Sequence, residues 1–100
     1  MVEVMPEFPG GVRAMLDFIK KNIQYPEIAR KNGIQGRVIV GVVVDKNGSV
    51  TNLTILKSID PYLDKEAIRV ISSMPKWTPG VQNGKKVRVK YTVPVSFRLQ

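Results

Sequence analysis

A proline inside the most regular strand pattern of the sequence limits the folds open to this chain. The stretch KKVRVKYTVPVSFRL, residues 85–99, alternates apolar and polar residues along its length. A period of two is typical of a strand with one dry face and one wet face. Pro94 lies within this stretch, and a proline cannot donate a hydrogen bond to a neighbouring strand. The sequence therefore predicts a strand at the edge of a sheet.

The position of Pro94 also predicts which backbone groups stay free. In an antiparallel strand, residues of one parity direct their N–H and C=O groups to one neighbour, and the other parity directs them to the opposite side. We therefore expect the outward-facing set to be Arg88, Lys90, Thr92 and Ser96. Such an open row can accept a further strand. Alternatively, its charges and its proline protect the edge from pairing.

Apolar spacing and capping residues predict three helices. The first covers residues 10–22, and its apolar positions are Val12, Met15, Leu16, Ile19 and Ile23. A short second helix covers residues 26–32, from Pro26 to the Asn32-Gly33 stop. A third covers residues 60–74, with Asp60 as cap, Pro61 as first helical residue, and an apolar stripe of Leu63, Ala67, Val70, Ile71 and Met74.

The valine-rich stretch over residues 36–58 predicts a hairpin whose core face carries Val38, Val40, Val42 and Val44. Asn47-Gly48 suits its turn, and the broken alternation after it predicts a bulge near Thr51-Asn52. We expect residues 76–86 to form a loop. A right-handed crossover would bring the last strand beside the first. The expected fold is one α+β domain over residues 1–100, a three-stranded antiparallel sheet of order 2-1-3 with helices packed on one face.

Composition argues against catalysis. The chain has no cysteine and no histidine, which removes disulfides, nearly every zinc site and every histidine-assisted nucleophile. Asp60, Asp64 and Glu66 fall in the first turns of a helix, where acidic residues are favourable for structural reasons. We therefore expect no enzyme activity, metal or cofactor. The net charge of +8 favours either an anionic partner or simple solubility.

Taken together and in order, these residues resemble the C-terminal domain of the TonB family, energy transducers of Gram-negative bacteria. The resemblance covers nearly the whole chain, and the opening MPEFPGG resembles versions from Bacteroidetes-type bacteria. The residues that carry it are Tyr25-Pro26, Ala29, the stretch GIQGRVIVGVVVDKNGSV, Ser58, Asp64, Ala67, the stretch KWTPG, Pro94 and Phe97.

The resemblance implies a periplasmic domain of an inner-membrane-anchored protein, whose anchor and proline-rich linker would lie upstream of these residues. It implies capture of the TonB box, a short extended segment of an outer-membrane transporter, by strand addition. It also implies that ExbB and ExbD, acting through the upstream region, supply a pull derived from the proton-motive force for substrate uptake. The sequence leaves open whether the isolated domain forms a homodimer.

Two groups of site residues follow from this resemblance. Along the last strand they are Val87, Arg88, Val89, Lys90, Tyr91, Thr92, Val93 and Ser96. In the Tyr-Pro segment they are Asn22, Gln24, Tyr25 and Pro26. Tyr25 either contacts the box or packs beside Pro26 and tethers the first helix to the sheet. Trp77 is expected to cover the core.

Two other functions share parts of the pattern. A TolA-type envelope domain, or a TonB domain of a signalling receptor, has the same architecture and a different partner. A basic nucleic-acid-binding domain fits the charge, but it would use aromatic side chains on the exposed sheet face. The wet face of residues 85–99 carries none, so we expect no nucleic-acid partner.

Overall fold

The computed structural model describes residues 2–99 and contains three helices and five strands in that range. In chain order they are α1 (Gly11–Asn22), α2 (Glu27–Lys31), β1 (Gly36–Val44), β2 (Val50–Lys57), α3 (Pro61–Ser72), β3 (Gly80–Gln82), β4 (Lys85–Val87) and β5 (Val89–Phe97). Among these residues no helix is both long enough and apolar enough to cross a bilayer.

The main sheet has the order β2-β1-β5 and is antiparallel throughout, which confirms the predicted 2-1-3 order. One face of β1 is dry, because Val38, Val40, Val42 and Val44 are all buried. The buried residues of α1 and α3 join them in one core, together with Val93, Val95 and Phe97 of β5. The helices therefore pack on a single face of the sheet, as the alternation predicted.

The predicted single strand over residues 85–99 is wrong in its first part. The β1–β5 ladder ends at the pair Val44–Val89, because β1 turns towards β2 at that point. Residues 85–87 lie beyond the ladder, and they pair with residues 80–82 in a separate hairpin. The turn is Asn83-Gly84, whose φ angles of 53° and 72° suit a tight hairpin. The predicted loop over residues 76–86 therefore contains β3 and the first two residues of β4.

The second strand carries two irregularities where one was predicted. Asn52 has a φ of 49°, and a register shift next to it adds one residue to β2, which confirms the bulge near Thr51-Asn52. A second shift, between the pairs Ile39–Lys57 and Val40–Ile55, adds Leu56. The alternation of β2 does not reveal this second bulge, because Leu56 is an apolar residue on an exposed position.

Helix α3 follows its sequence pattern closely. The Asp60 carboxylate accepts hydrogen bonds from the N–H groups of Tyr62 (2.9 Å) and Leu63 (3.3 Å) and so caps the helix. Four positions of the predicted apolar stripe are fully buried: Leu63, Ala67, Val70 and Ile71. The helix ends at Ser72, two residues before the predicted end, and Met74 lies beyond it as a half-buried neighbour of the core.

Helix α1 departs from its pattern. Met15 and Ile19 are buried, as predicted, and Ile23 is half-buried after the end of the helix. However, the side chains of Val12 and Leu16 are 57% and 45% exposed, so not every apolar position of this helix joins the core. The apolar arc of α1 is wider than the surface that the sheet and α3 cover.

Candidate functional site

Strand β5 forms a regular open edge of the sheet. It pairs with β1 through nine consecutive residue pairs, from Val44–Val89 to Gly36–Phe97, with no register shift. Within residues 2–99, no strand pairs with its other side. A straight strand with one unpaired side is the arrangement that accepts a further strand most readily.

Pro94 sets which groups face this open edge. It lies opposite Ile39 in the unbroken ladder, and it has no N–H to give to that residue. The Ile39–Pro94 pair is therefore of the kind that exchanges no hydrogen bonds, and every second pair along the ladder is of the same kind. It follows that the N–H and C=O groups of Lys90, Thr92 and Ser96 point away from β1. The side chains of these three residues are exposed as well.

The opposite edge of the sheet is a poorer template. Strand β2 is interrupted by the bulges at Asn52 and Leu56, and each bulge shifts the register of its backbone groups. An incoming strand would find only short regular stretches there. The two edges therefore differ in kind, and only β5 keeps one register over nine residues, with Pro94 as the one outward position that lacks an N–H.

The strand residues named from the sequence divide into two sets. Val89 and Val93 are buried in the core, and the half-buried Tyr91 ring lies 5.1 Å from the Trp77 ring. The main-chain groups of these odd-numbered residues bond to β1, and their side chains anchor β5 to the core. The main-chain groups of Lys90, Thr92 and Ser96 point to the open edge instead.

Val87 and Arg88 lie outside the open edge of β5. Val87 belongs to β4, where it pairs with Gly80. Arg88 lies between the two strands, with its Nε 3.7 Å from the Asp45 carboxylate. The sequence pattern placed both residues on the same edge as Lys90, because the alternation continues through Arg88. It did not reveal that residues 85–87 pair with β3 and only residues 89–97 pair with β1.

The Tyr-Pro segment packs against the carboxyl end of β5. The Tyr25 ring meets the Phe97 ring edge-on, with a centroid distance of 5.6 Å, and its hydroxyl donates a hydrogen bond to the Ile34 carbonyl. Burial raises the pKa of this hydroxyl. Tyr25 therefore packs on the sheet through Phe97, and its contact with a box stays a prediction. Its contact with Phe97 brings the Tyr-Pro segment and β5 together, although they are far apart in sequence.

A carboxylate from α3 holds the residues just before Tyr25. Glu66 accepts the Gln24 N–H at 2.7 Å and two bonds from the Arg69 guanidinium, both at 2.7 Å. Arg69 in turn donates to the Asn22 carbonyl at 3.0 Å. Burial acts to raise the pKa of Glu66, but the hydrogen bonds from Arg69 and Gln24 outweigh it and leave this pKa below its ordinary value. Asn22 and Gln24 are thus fixed through their main chain.

A groove separates this segment and α1 from the end of β5. It encloses about 600 Å³. Its lining comes from α1, the Tyr-Pro segment, β1 and β5: Leu16, Ile19, Lys20, Ile23, Tyr25, Arg37, Pro94, Ser96, Phe97 and Arg98. The sequence-based prediction missed most of these residues. The available signal was the wide apolar arc of α1, which includes more positions than one core-facing stripe needs.

Trp77 closes the far end of the core, as predicted. Its side chain is 3% exposed, and its ring packs edge-on against Phe8 and Tyr91 at 6.0 and 5.1 Å. Its main-chain N–H donates to the Gly48 carbonyl at 2.8 Å. Trp77 therefore ties the hairpin turn of the sheet to the chain that leads into β3.

The acidic residues of α3 have structural partners. Asp60 caps the helix, Glu66 holds Gln24 and Arg69, and Asp64 accepts bonds from the Ser58 hydroxyl and from the Ile59 N–H at 3.2 Å. No cluster of three potential metal ligands occurs in the part of the chain that the structure describes. These carboxylates therefore have partners within the fold.

Sequence comparisons identify relatives over most of the chain. The sequence model of the C-terminal region of the Gram-negative bacterial TonB protein matches residues 21–99. Protein TonB of Xanthomonas campestris pv. campestris (strain B100) is 37% identical over 94 residues, which cover 90% of this chain and 42% of that protein. Protein TonB of Vibrio cholerae is 32% identical over 78 residues, 77% of this chain and 32% of that protein. The chain thus spans less than half the length of these relatives.

Solved structures with the same fold come from Helicobacter pylori. The solution structure of its TonB C-terminal domain over residues 194–285 matches with a TM-score of 0.65 at 24% identity, covering 86% of this chain and 90% of that one. A longer form of that domain, residues 179–285, matches with a TM-score of 0.56 at 25% identity, covering 84% and 78%. The likeness of the first structure concerns the fold alone.

Proposed function

This chain belongs to the family of TonB C-terminal domains, and we propose that it is a periplasmic binding module that captures the TonB box of outer-membrane transporters on the open edge of β5. The single observation that carries the proposal is the unbroken nine-residue ladder with its outward side free. The outward N–H and C=O groups of Lys90, Thr92 and Ser96 would pair with the box as with a fourth strand.

The proposed contacts extend to the Tyr-Pro segment. Tyr25 lies on Phe97 at the end of β5, and Asn22 and Gln24 are held next to it by Glu66 and Arg69. A box paired with β5 would therefore run towards this segment. The Tyr-Pro segment would contact the box at that end, and Pro26 would lead the chain into α2.

The proposed module transmits force to the transporter. In the full-length protein, an upstream inner-membrane anchor and a proline-rich span would connect this domain to ExbB and ExbD, which supply a pull derived from the proton-motive force. A pull along two paired strands loads several hydrogen bonds together, whereas peeling breaks them one at a time. Strand pairing thus lets a contact that is weak at equilibrium carry a load during substrate uptake.

The energetics fit a reversible contact. Pairing a box of about six residues forms roughly four to six main-chain hydrogen bonds, each with a net value of about 0.5–1.5 kcal/mol. Ordering the box and losing rigid-body freedom offset a large part of that gain. We therefore expect an affinity of about micromolar order for an isolated box peptide.

The proposal is tested by an NMR titration of the ¹⁵N-labelled domain with a TonB-box peptide. We expect the largest amide shifts along residues 89–97. Thr92→Pro removes one outward N–H without removing a bond to β1, so it should weaken binding while the fold persists. Thr92→Val is the matched control, because it keeps that N–H and a β-branched side chain. Shifts that avoid β5, or equal binding by both variants, would show that the box does not pair with this edge.

A further inference from the structure

Helix α1 forms one wall of the groove beside β5. The helix spans Gly11–Asn22, and all but its last two residues precede the part of the chain that the family model matches. We propose that α1 selects the partner: a segment with apolar side chains at alternating positions on its helix-facing side and an acidic residue at one end. This inference rests on the proposed strand addition and specifies which segments that edge accepts.

Two cavities have α1 on one side and β5 on the other. The smaller one, about 300 Å³, is lined by Val12 and Met15 of α1, by Tyr91 of β5, by Trp77, and by the N-terminal segment 5–8, which includes the carboxylate of Glu7. The larger one, about 600 Å³, is lined by Leu16 of α1 and by Pro94 and later residues of β5. Because Tyr91 and Pro94 are close neighbours on one strand, the cavities follow each other along the open edge.

Two apolar side chains of α1 do not take part in the core. Val12 and Leu16 lie four residues apart and therefore share one face of the helix, where they are 57% and 45% exposed. The face that packs on the core uses Met15 and Ile19 instead. Val12 and Leu16 thus form the uncovered border of the apolar arc of α1, and they line the two cavities beside β5 together with Met15 and Ile19.

The spacing of this face matches that of an added strand. Alternate side chains of a strand point to the same side and are about 6.6 Å apart. Two residues four apart on a helix are separated by about 6 Å along its axis. Successive helix-facing side chains of a strand paired with β5 can therefore each contact one of Val12 and Leu16.

The charges around the larger cavity determine the polar part of the partner. Lys20, Arg37 and Arg98 all line it, and no carboxylate does. An acidic residue at the corresponding end of the segment would meet three cations, whereas a basic residue would meet like charges. The occupant that fits is therefore an extended apolar-alternating segment with a terminal carboxylate.

The test uses designed peptides and α1 variants. The probe is a blocked eight-residue peptide with valine at every second position, threonine between them, and glutamate at one end or the other. Binding is measured by calorimetry, and β5 amide shifts are recorded in parallel. We expect Leu16→Ala to weaken binding about five- to tenfold through lost apolar contact. Ile28→Ala is the matched control, since Ile28 is a 49% exposed helical residue outside the groove, and it should bind as the wild type does.

The charge contribution is tested separately. Lys20→Gln should weaken binding of the tighter-binding glutamate peptide several-fold, and replacing the glutamate of that peptide by lysine should weaken its binding to the wild type. Lys21→Gln removes a neighbouring exposed charge from the same helix without touching the cavity lining, so it serves as the control.

The outcomes separate the two proposals. If β5 amides shift and Leu16→Ala binds like the wild type, the role of α1 is refuted and strand addition stands. If neither glutamate peptide shifts the β5 amides, strand addition fails and the selection by α1 fails with it. If Leu16→Ala changes the self-association of the domain in ultracentrifugation but leaves peptide affinity unchanged, a second copy covers this face and the inference is wrong.

Discussion

Gly48 is the residue where the backbone leaves least room for a side chain. It is buried in the β1–β2 turn with a φ of 86°, and a Cβ built on it would lie 2.0 Å from the Trp77 carbonyl oxygen. Two separate constraints therefore act on one position: a left-handed conformation and contact with a main-chain atom that cannot move aside. The turn and the chain after α3 are held together through this glycine.

Gly48→Ala and Gly84→Ala separate these two constraints. Gly84 also has a positive φ, 72°, but nothing lies within 4 Å of its built Cβ. We expect Gly84→Ala to lower the free energy of unfolding by about 1–2 kcal/mol through backbone conformation alone. Gly48→Ala should lose a further 1–3 kcal/mol or so through overpacking. Urea unfolding followed by fluorescence of Trp77, the single tryptophan, measures both, and equal losses would contradict this account of the turn.

Glu66 makes stability depend on pH. Its side chain is 9% exposed, and its folded pKa lies below the ordinary value of 4.5. A lowered folded pKa stabilises the native state above pH 4.5 and loses that contribution as the pH falls through the folded value. We expect Glu66→Gln to be less stable than the wild type at pH 7 and to lose less stability between pH 5 and about 3.

The control for Glu66 is Glu27→Gln. Glu27 forms an ion pair with Lys31 at 3.3 Å, but both side chains are about two-thirds exposed, so this pair contributes little to stability. Denaturant unfolding over the same pH range should therefore show the wild-type slope for Glu27→Gln. An unchanged slope in Glu66→Gln would mean that the contacts with Gln24 and Arg69 do not stabilise the fold.

At the level of elements, the two edges of the sheet differ in how readily each can accept another strand. Strand β2 carries bulges at Asn52 and Leu56, and such irregularity is a common protection against pairing. Strand β5 keeps its register over its full length. Its only interruption is Pro94, whose missing N–H would limit a partner strand at one position. The fold therefore has one regular edge, along β5, and one irregular edge, along β2.

The second element that matters is α1. Its core-facing residues would suffice to attach it to the sheet, because Met15 and Ile19 are buried and Phe18 packs on the Phe8 ring with a centroid distance of 5.6 Å. Val12 and Leu16 add apolar area that the native domain leaves exposed. This surplus distinguishes a helix that only covers a core from a helix that also borders a groove.

For the whole molecule, charge is unevenly distributed around the open edge. The chain has 16 basic and 8 acidic residues, and all side chains within residues 85–99 that are charged at neutral pH are basic. Lys90 is exposed on β5, while Arg88 is drawn towards Asp45. Lys90 is therefore the better placed of the two to attract an acidic partner.

We expect added salt to slow association with an acidic box peptide, and Lys90→Gln to reduce this dependence. Lys31→Gln is the control, because Lys31 is an exposed residue of α2 and lines none of the cavities that border β5. Stopped-flow rates between 20 and about 300 mM salt measure both. A wild-type rate that does not change with salt would exclude electrostatic attraction.

The regular parts of the fold were predictable because their signals are local. Alternating valines determined the core face of β1, Asp60-Pro61 determined the start of α3, and Pro94 indicated an edge strand. Each of these features depends on residues a few positions apart. The same holds for the bulge near Asn52, since a broken alternation is visible within one strand.

The candidate site was only half predictable. The alternation of residues 85–99 showed which side chains face water, but it could not show where β1 ends. The end of β1 decides that the strand leaves the main sheet at Arg88. In the same way, the pattern of α1 showed an apolar arc and not how much of it a neighbour covers.

The sequence by itself determined which residues form strands and helices, which face of each is apolar, and that the last strand lies at an edge. Only the tertiary structure decided that Tyr25 meets Phe97, that Glu66 holds Gln24, and that Leu16 stays exposed beside β5. The physical reason is range. Periodicity reports the preference of a side chain for water or for the interior, whereas a groove exists only where elements distant in sequence approach without closing the space between them.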